Sequence, residues 1–265
     1  GGEAVSEGWW LAGGGGGVGA ARRRGAGGSE IIGVGGESTR PGAGAGGAEE
    51  ELRRVAPVIE ALAGETDVTI SIDTMKAQVA REAIRHGAHI INDVSALTHD
   101  EAMPDVAGES GAGAVLMHMR GDPRTMQHDP QYEDVVGYIR EYLEARIAAA
   151  MAAGLTKGTL AVDPGIGFGK TAQHNVLLVA QLERLTSLER PVLVGLSRKR
   201  FLGMLTGCDV DDRVTASVAG AVASVLNGAH IVRVHDVAET VQAMRVVAAI
   251  RCPEKTDELV ESIAC

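Results

Sequence analysis

The feature that most constrains the fold of this chain is a regular alternation of short apolar segments with amphipathic segments. Residues 48–63 place Leu52, Val55 and Ile59 on one face at helical spacing, and the apolar run 68–72 that follows has the length of a strand. The pattern continues through seven predicted strands that alternate with predicted helices. This spacing is typical of βα units whose strands pair in parallel.

Almost every predicted strand is followed by a polar or ionisable residue. These residues are Glu37, Asp73, Asn92, His118, Asp163, Lys199 and His235. In a (β/α)8 barrel the carboxyl ends of all strands open on one face, where the active site lies. An open doubly wound sheet uses mainly the strand ends near its switch point. The repetition therefore predicts an α/β fold of the (β/α)8 TIM-barrel type.

This count is one strand short, and the empty position falls at the N-terminus. Residues 13–17 are five consecutive glycines, and three arginines follow at 22–24. Such a segment loses much conformational entropy on ordering and has little apolar surface to bury. We therefore expect an irregular glycine-rich segment over residues 1–29, with the first strand and helix missing or irregular. The barrel domain is expected over residues 30–265.

Composition and charge exclude several classes of protein. The net charge of -10 argues against a general nucleic-acid binder. Neither an apolar run long enough to span a membrane nor a signal-peptide pattern is found. Cys208, Cys252 and Cys265 lack the spacing of metal ligands, so no disulfide or structural metal is expected. A cytoplasmic protein without membrane or nucleic-acid partners is the expectation.

The segment 163–171 ends a strand on an acid and then turns through a proline and three glycines. Such a turn simply closes a buried strand, or else it brings backbone and the Asp163 carboxylate close to a ligand. Phe168, one of two phenylalanines, either covers an aromatic substrate or packs as an ordinary loop residue. The segment alone leaves both interpretations open.

Two groups of strand-end residues suggest a chemistry. Asp73, Asn92 and Asp163 come from different strands and are suited to accept from a ring that carries several N–H donors. Taken one at a time, Asp73 also fits a helix cap and Asn92 a turn brace.

The second group is basic. Lys199 follows a strand together with Ser197, and Arg233 and His235 lie two residues apart, on one side of the last strand. Cations at the last two strands match the usual phosphate position of this barrel. The alternatives are a solvated basic turn and a structural pairing with Asp236.

Six motifs closely resemble those of the dihydropteroate synthases. They are residues 35–42 (GGESTRPG), 71–74 (SIDT), 91–95 (INDVS), 163–171 (DPGIGFGKT), 197–203 (SRKRFLG) and 232–236 (VRVHD). The match covers roughly residues 30–250. The resemblance implies a transferase of folate biosynthesis that joins 6-hydroxymethyl-7,8-dihydropterin diphosphate to p-aminobenzoate. The products are 7,8-dihydropteroate and pyrophosphate.

The resemblance also implies roles for particular residues. The pterin is held by Asp73, Asn92, Asp163 and Lys199, of which Asp73, Asp163 and Lys199 are catalytic. The diphosphate is bound by Arg233 and His235 with Mg²⁺. The p-aminobenzoate site, which sulfonamides occupy, is formed by Thr39, Arg40, Pro41, Phe168, Ser197 and Lys199. A homodimer is implied, with residues 213–226 and 238–250 as the candidate interface.

Some features depart from the family pattern. The family begins with a strand that carries Met-Gly-x-x-Asn-x-Thr and a Pro-Asp-Ser-Phe-Ser-Asp-Gly-Gly loop, and this sequence opens as if just after that loop. That asparagine is the family's Mg²⁺ ligand, so the metal ligands here are unknown. Gly33 stands where the family usually has an aspartate. The alternatives are a weakly active or non-catalytic pterin-binding paralogue and a pterin-binding methyltransferase domain. Residues 35–42 and 197–203 favour the synthase.

Overall fold

Among the residues that the structure describes, eight parallel strands form the centre of the protein. The structure, a computed structural model, describes residues 3–6, 19, 25, 27–37, 46–121, 126 and 130–264. The strands are β1 (Glu3–Ser6), β2 (Ile31–Gly35), β3 (Thr69–Asp73), β4 (Ile90–Asp93), β5 (Gly113–Met117), β6 (Leu160–Asp163), β7 (Leu193–Gly195) and β8 (Ile231–Val234). Their order in the sheet is β6-β5-β4-β3-β2-β1-β8-β7.

The sheet closes on itself between β6 and β7. Val162 forms a parallel bridge with Val192, and its N–H donates to the carbonyl oxygen of Pro191 across 2.9 Å. Closure brings the carboxyl ends of all eight strands to one mouth. The (β/α)8 barrel predicted from the strand ends is confirmed.

Strand β1 occupies the position that the sequence left open. It pairs in parallel with β2, where Val5 is opposite Ile31, and with β8, where Val5 is opposite Arg233. Backbone pairing on two sides supplies the hydrogen bonds that a four-residue segment cannot make alone. The first strand is therefore present within the segment expected to be irregular. Most of the predicted irregular first helix lies outside the described residues.

Helices surround the barrel. They are α1 (Ala48–Glu65), α2 (Ala77–Arg85), α3 (Met103–Ser110), α4 (Val135–Ala152), α5 (Ala172–Ala180), α6 (Glu183–Thr186), α7 (Arg200–Thr206), α8 (Val214–Leu226), α9 (Val237–Arg251) and α10 (Thr256–Ala264). Residues 172–186 contain two helices, α5 and α6. Helix α4 begins at residue 135, since the Asp134 side chain caps it by accepting from Val136 and Gly137. In the described part of the chain, no helix has the length and apolarity needed to cross a bilayer.

Two apolar clusters lie between the strands and the helices. One includes Ile59 of α1 and Ile72 of β3, and the other includes Leu143 of α4 and Val162 of β6. Tyr142 packs against both clusters and joins them. Full burial of such an aliphatic side chain contributes roughly 1.5–3 kcal/mol, so the barrel provides a rigid support for the residues at its mouth.

Candidate active site

Asp73 and Asn92 lie side by side at the ends of β3 and β4. The Asn92 side-chain nitrogen donates to Oδ1 of Asp73 across 2.7 Å. Asn92 is 4% exposed, and its own Oδ1 is buried with no hydrogen-bond partner among the described residues. A buried acceptor without a hydrogen bond costs about 1–3 kcal/mol of stability. A ligand that donates an N–H to Asn92 would remove this cost.

Arg233 reaches the same place from β8. Its Nη1 lies 3.6 Å from Oδ2 of Asp73, and the side chain is buried. A Cβ added to Gly195 would lie 3.2 Å from Nε of Arg233, so the absence of a side chain at Gly195 leaves room for the guanidinium. The resemblance assigns Arg233 to the diphosphate. In this structure its guanidinium pairs with Asp73, which the resemblance assigns to the pterin.

Asp163, at the end of β6, is 2% exposed. Its Oδ1 accepts from the backbone N–H of Gly165 across 2.7 Å. Burial raises the pKa of the Asp163 carboxyl above its usual value, while the charges of Arg233 and Lys199 act in the opposite direction. A ligand that brings N–H donors or positive charge to this position would stabilise the ionised form of the Asp163 carboxyl.

The loop after β6 depends on its glycines. Gly165, Gly167 and Gly169 have φ angles of 67°, 82° and 64°, which side chains other than glycine rarely adopt. A Cβ at Gly165 would lie 1.9 Å from the carbonyl oxygen of His118. The glycines therefore allow the loop to lie directly on the end of β5.

Lys199 contacts this loop from the end of β7. Its Nζ donates to the carbonyl oxygen of Ile166 and lies 4.6 Å from the centre of the Phe168 ring, within cation–π range. The Lys199 stem passes close to Gly167, where an added Cβ would lie 3.0 Å from Cδ of the lysine. Lys199 and Phe168, which the resemblance places in one subsite, are in contact.

Phe168 also packs against apolar side chains at the barrel mouth. It is 8% exposed and forms a small cluster with Val94, Met117 and Met126. Phe168 therefore packs as an ordinary loop residue and also contacts Lys199, while its role in covering an aromatic substrate stays a prediction.

Ser197 joins the ends of β7 and β8. Its hydroxyl lies 3.0 Å from Nδ1 of His235 and accepts from the His235 backbone N–H across 3.2 Å. Arg198 forms a two-bond ion pair with Asp236, at 2.6 and 3.0 Å. The basic turn after β7 is thus attached to β8 by specific contacts and is more than a solvated turn.

Thr39, Arg40 and Pro41 lie outside the described residues. The Glu37 carboxylate links the described residues on the two sides of this segment, because its Oε1 accepts from the Gly46 backbone N–H across 2.7 Å. The same carboxylate pairs with Lys76. Lys76 also pairs with the buried Glu51 at 2.7 Å.

Sequence reasoning missed the burial of Lys170 and His118. Lys170 Nζ lies 3.0 Å from His118 Nδ1 and donates to the Phe168 carbonyl oxygen across 2.8 Å. Burial, followed by the nearby Lys170 charge, lowers the pKa of His118 to about 2. Lysine is almost never fully buried, so no pattern in the sequence signals this contact.

A protein-held Mg²⁺ site does not fit the residues that are described. Among them, no group of three or more histidine, cysteine, aspartate or glutamate side chains is placed to hold an ion. The side chains near the ends of β7 and β8 include Lys199, Arg233 and His235, which suit an anion better than a cation.

Comparison with known proteins agrees with this geometry. A family model described as "Pterin binding enzyme" matches residues 15–235. The dihydropteroate synthase of Escherichia coli strain K12 is 49% identical over 222 residues, which are 84% of this chain and 78% of that protein.

Solved structures are similar over nearly their whole length. The dihydropteroate synthase of Stenotrophomonas maltophilia, with imidazole bound in its active site, gives a TM-score of 0.90 at 44% identity and covers 94% of this chain and 93% of its own. The Xanthomonas albilineans dihydropteroate synthase with 4-aminobenzoic acid gives 0.89 at 42% identity, with coverages of 94% and 93%. This chain belongs to the dihydropteroate synthase family of pterin-binding enzymes.

Proposed function

We propose that this chain condenses 6-hydroxymethyl-7,8-dihydropterin diphosphate with p-aminobenzoate, giving 7,8-dihydropteroate and pyrophosphate for folate biosynthesis. The observation that carries the proposal is the buried Oδ1 of Asn92, which has no partner in the part of the chain that the structure describes and lies beside the Asp73 carboxylate. A pterin presents adjacent ring N–H and amino donors, which are the groups that such a pair of acceptors requires. The match of residues 15–235 to pterin-binding enzymes supports the same ligand class.

The pterin is held by Asp73, Asn92 and Asp163, which accept from its ring, and by Lys199, which donates to it. The two carboxylates stabilise positive charge that develops on the pterin as the bond to the diphosphate breaks. Asp163 is well suited to this role, since its burial strengthens electrostatic interactions with the ligand. Asp73, Asp163 and Lys199 are accordingly the catalytic residues.

The leaving group is bound by Arg233 and His235. The exocyclic C–O bond breaks with its electron pair on the diphosphate oxygen, and the N–H donors of Arg233 and His235 stabilise that charge. The nitrogen of the arylamine forms the new bond to the methylene carbon and loses a proton. The contact between His235 and Ser197 fixes the imidazole for this role.

The arylamine site is formed by Phe168, Ser197 and Lys199 together with Thr39, Arg40 and Pro41, which lie outside the described residues. The bound 4-aminobenzoic acid in the Xanthomonas albilineans relative supports a site of this class. A sulfonamide of the same shape is expected to compete for it.

A homodimer through α8 and α9 is part of the proposal. Leu226 at the end of α8 is 54% exposed, and Val246 and Ile250 on α9 are 60% and 72% exposed. Clustered exposed aliphatic side chains are typical of protein contact surfaces.

Turnover tests the function directly. Incubation with both substrates and Mg²⁺ is expected to release pyrophosphate and form 7,8-dihydropteroate, with little release when either substrate is omitted. Pterin binding in calorimetry without pyrophosphate release would instead identify a non-catalytic paralogue. Methyl transfer to or from a folate would identify a methyltransferase domain. Titration with a chelator in the same assay tests the Mg²⁺ requirement, which stays a prediction.

A further inference from the structure

Lys170 is a buried lysine that the proposed reaction does not use. It ends the loop after β6, next to Thr171, which caps α5. Lys170 is 3% exposed, and burial lowers the pKa of its amino group well below the usual value. Burying such a group is costly unless its hydrogen bonds are made, so its position calls for an explanation.

Three atoms surround the Lys170 nitrogen. The Phe168 carbonyl oxygen lies at 2.8 Å, the His118 carbonyl oxygen at 3.4 Å and His118 Nδ1 at 3.0 Å. An ammonium group donates to all three. A neutral amine donates to the two carbonyls and accepts from an Nδ1–H. The contacts therefore hold in either protonation state and link the end of β5 to the loop after β6.

The same loop is held at three carbonyls by three different side chains. Lys199 binds the carbonyl oxygen of Ile166, Lys170 binds that of Phe168, and the Tyr132 hydroxyl donates to that of Gly169 across 3.0 Å. Of these three side chains, Lys199 belongs to the proposed site. Lys170 fixes the backbone of the residue whose ring touches Lys199.

We propose that Lys170 is a positioning residue for the arylamine subsite, because it holds the Phe168 main chain where the ring meets Lys199. This inference rests on the proposed function. It deepens that function by placing a determinant of p-aminobenzoate affinity at a residue that does not touch the substrate.

Replacement of Lys170 by methionine tests the proposal, since methionine keeps much of the length and removes every donor. Calorimetry measures the Kd of p-aminobenzoate with pyrophosphate present, and the Kd of the pterin diphosphate separately. We expect Lys170→Met to weaken p-aminobenzoate about 10-fold, with pterin affinity within about 2-fold, as loss of positioning hydrogen bonds predicts. The KM for p-aminobenzoate should rise in parallel, and kcat should change less.

Lys157, which is 62% exposed, provides the matched control as Lys157→Met and should change neither affinity. Unchanged p-aminobenzoate affinity in Lys170→Met, or an equal loss for both ligands, would overturn the proposal. Should the methionine variant not fold, Lys170→Gln replaces it, since glutamine retains two N–H donors. This variant is expected to weaken p-aminobenzoate selectively as well, but by a smaller factor. Turnover by the unaltered protein separates the two claims, because its absence counts against the proposed function while the calorimetric comparison still decides the role of Lys170.

Discussion

Lys199 lies with its Nζ 4.6 Å from the centre of the Phe168 ring and donates to the Ile166 carbonyl oxygen. One side chain after β7 thus meets the loop after β6 through both a ring and a backbone contact. Because the contact joins residues from two strand ends, it depends on closure of the barrel between β6 and β7.

Replacing Lys199 by alanine should remove activity without unfolding the protein. We expect Lys199→Ala to lower kcat/KM about 10²–10³-fold, as the loss of one preorganised donor in an active site does. Steady-state pyrophosphate release measures the effect, and circular dichroism monitors folding. Lys157→Ala, at an exposed position, is the control. Near-normal turnover in Lys199→Ala would contradict the assigned role.

Replacing Asp163 by asparagine should change how stability depends on pH. Burial raises the pKa of this carboxyl above 3.8, so the folded state holds the proton more tightly than the unfolded state. Its contribution to the free energy of unfolding therefore falls as pH rises from about 3.8 through the raised pKa. Asparagine does not titrate, so the free energy of unfolding of Asp163→Asn should not show this fall. The variant should therefore be more stable than the unaltered protein at neutral pH, although it should bind pterin poorly. Urea unfolding at several pH values measures this, and a variant less stable than the unaltered protein at pH 7 would contradict the account.

Replacing Asp134 by alanine should affect stability alone. Its carboxylate caps α4, and the hydrogen bond from Arg184 is the main reason that its pKa is lowered to about 2. The loss should be about 1 kcal/mol at neutral pH, as for other helix caps. Because the folded pKa lies below the usual 3.8, this stabilisation is complete above that value and disappears as pH falls toward 2. Urea unfolding at pH 7 and pH 3 measures it, and a loss that does not shrink at low pH would contradict the assignment.

A charge on the exposed face of α9 should disrupt the proposed homodimer. Ile250→Glu places a carboxylate at a position that is 72% exposed in the single chain, so folding should be unaffected while association weakens. Sedimentation velocity of the unaltered protein is expected to give a dimer and that of the variant a monomer. Met151→Glu, at an exposed position of α4, is the control, and this variant should remain dimeric. A monomeric unaltered protein would refute the interface.

Much of the barrel follows from local patterns. The sequence predicts the strand ends at Asp73, Asn92 and Asp163, because a short apolar run followed by a polar residue is typical of a strand that ends there. The contact of Asp73 with Asn92 follows once neighbouring parallel strands are assumed, since their ends lie side by side.

The remaining features depend on contacts between distant parts of the chain. Strand β1 exists because β2 and β8 pair with it on both sides, which its glycine-rich surroundings do not reveal. The pairing of Arg233 with Asp73 crosses from β8 to β3 and depends on the missing side chain of Gly195. No local pattern encodes either contact, nor the buried position of Lys170.

The central claim is that the strand-end acceptors bind a pterin, and the affinity of Asn92→Leu for the pterin diphosphate tests it most directly. Leucine keeps the approximate shape and removes the buried Oδ1 that has no partner among the described residues, together with the Nδ2 donor to Asp73. Calorimetry should show binding weaker by about 10- to 100-fold, which corresponds to lost hydrogen bonds worth roughly 1.4–2.7 kcal/mol. An affinity equal to that of the unaltered protein would contradict the account.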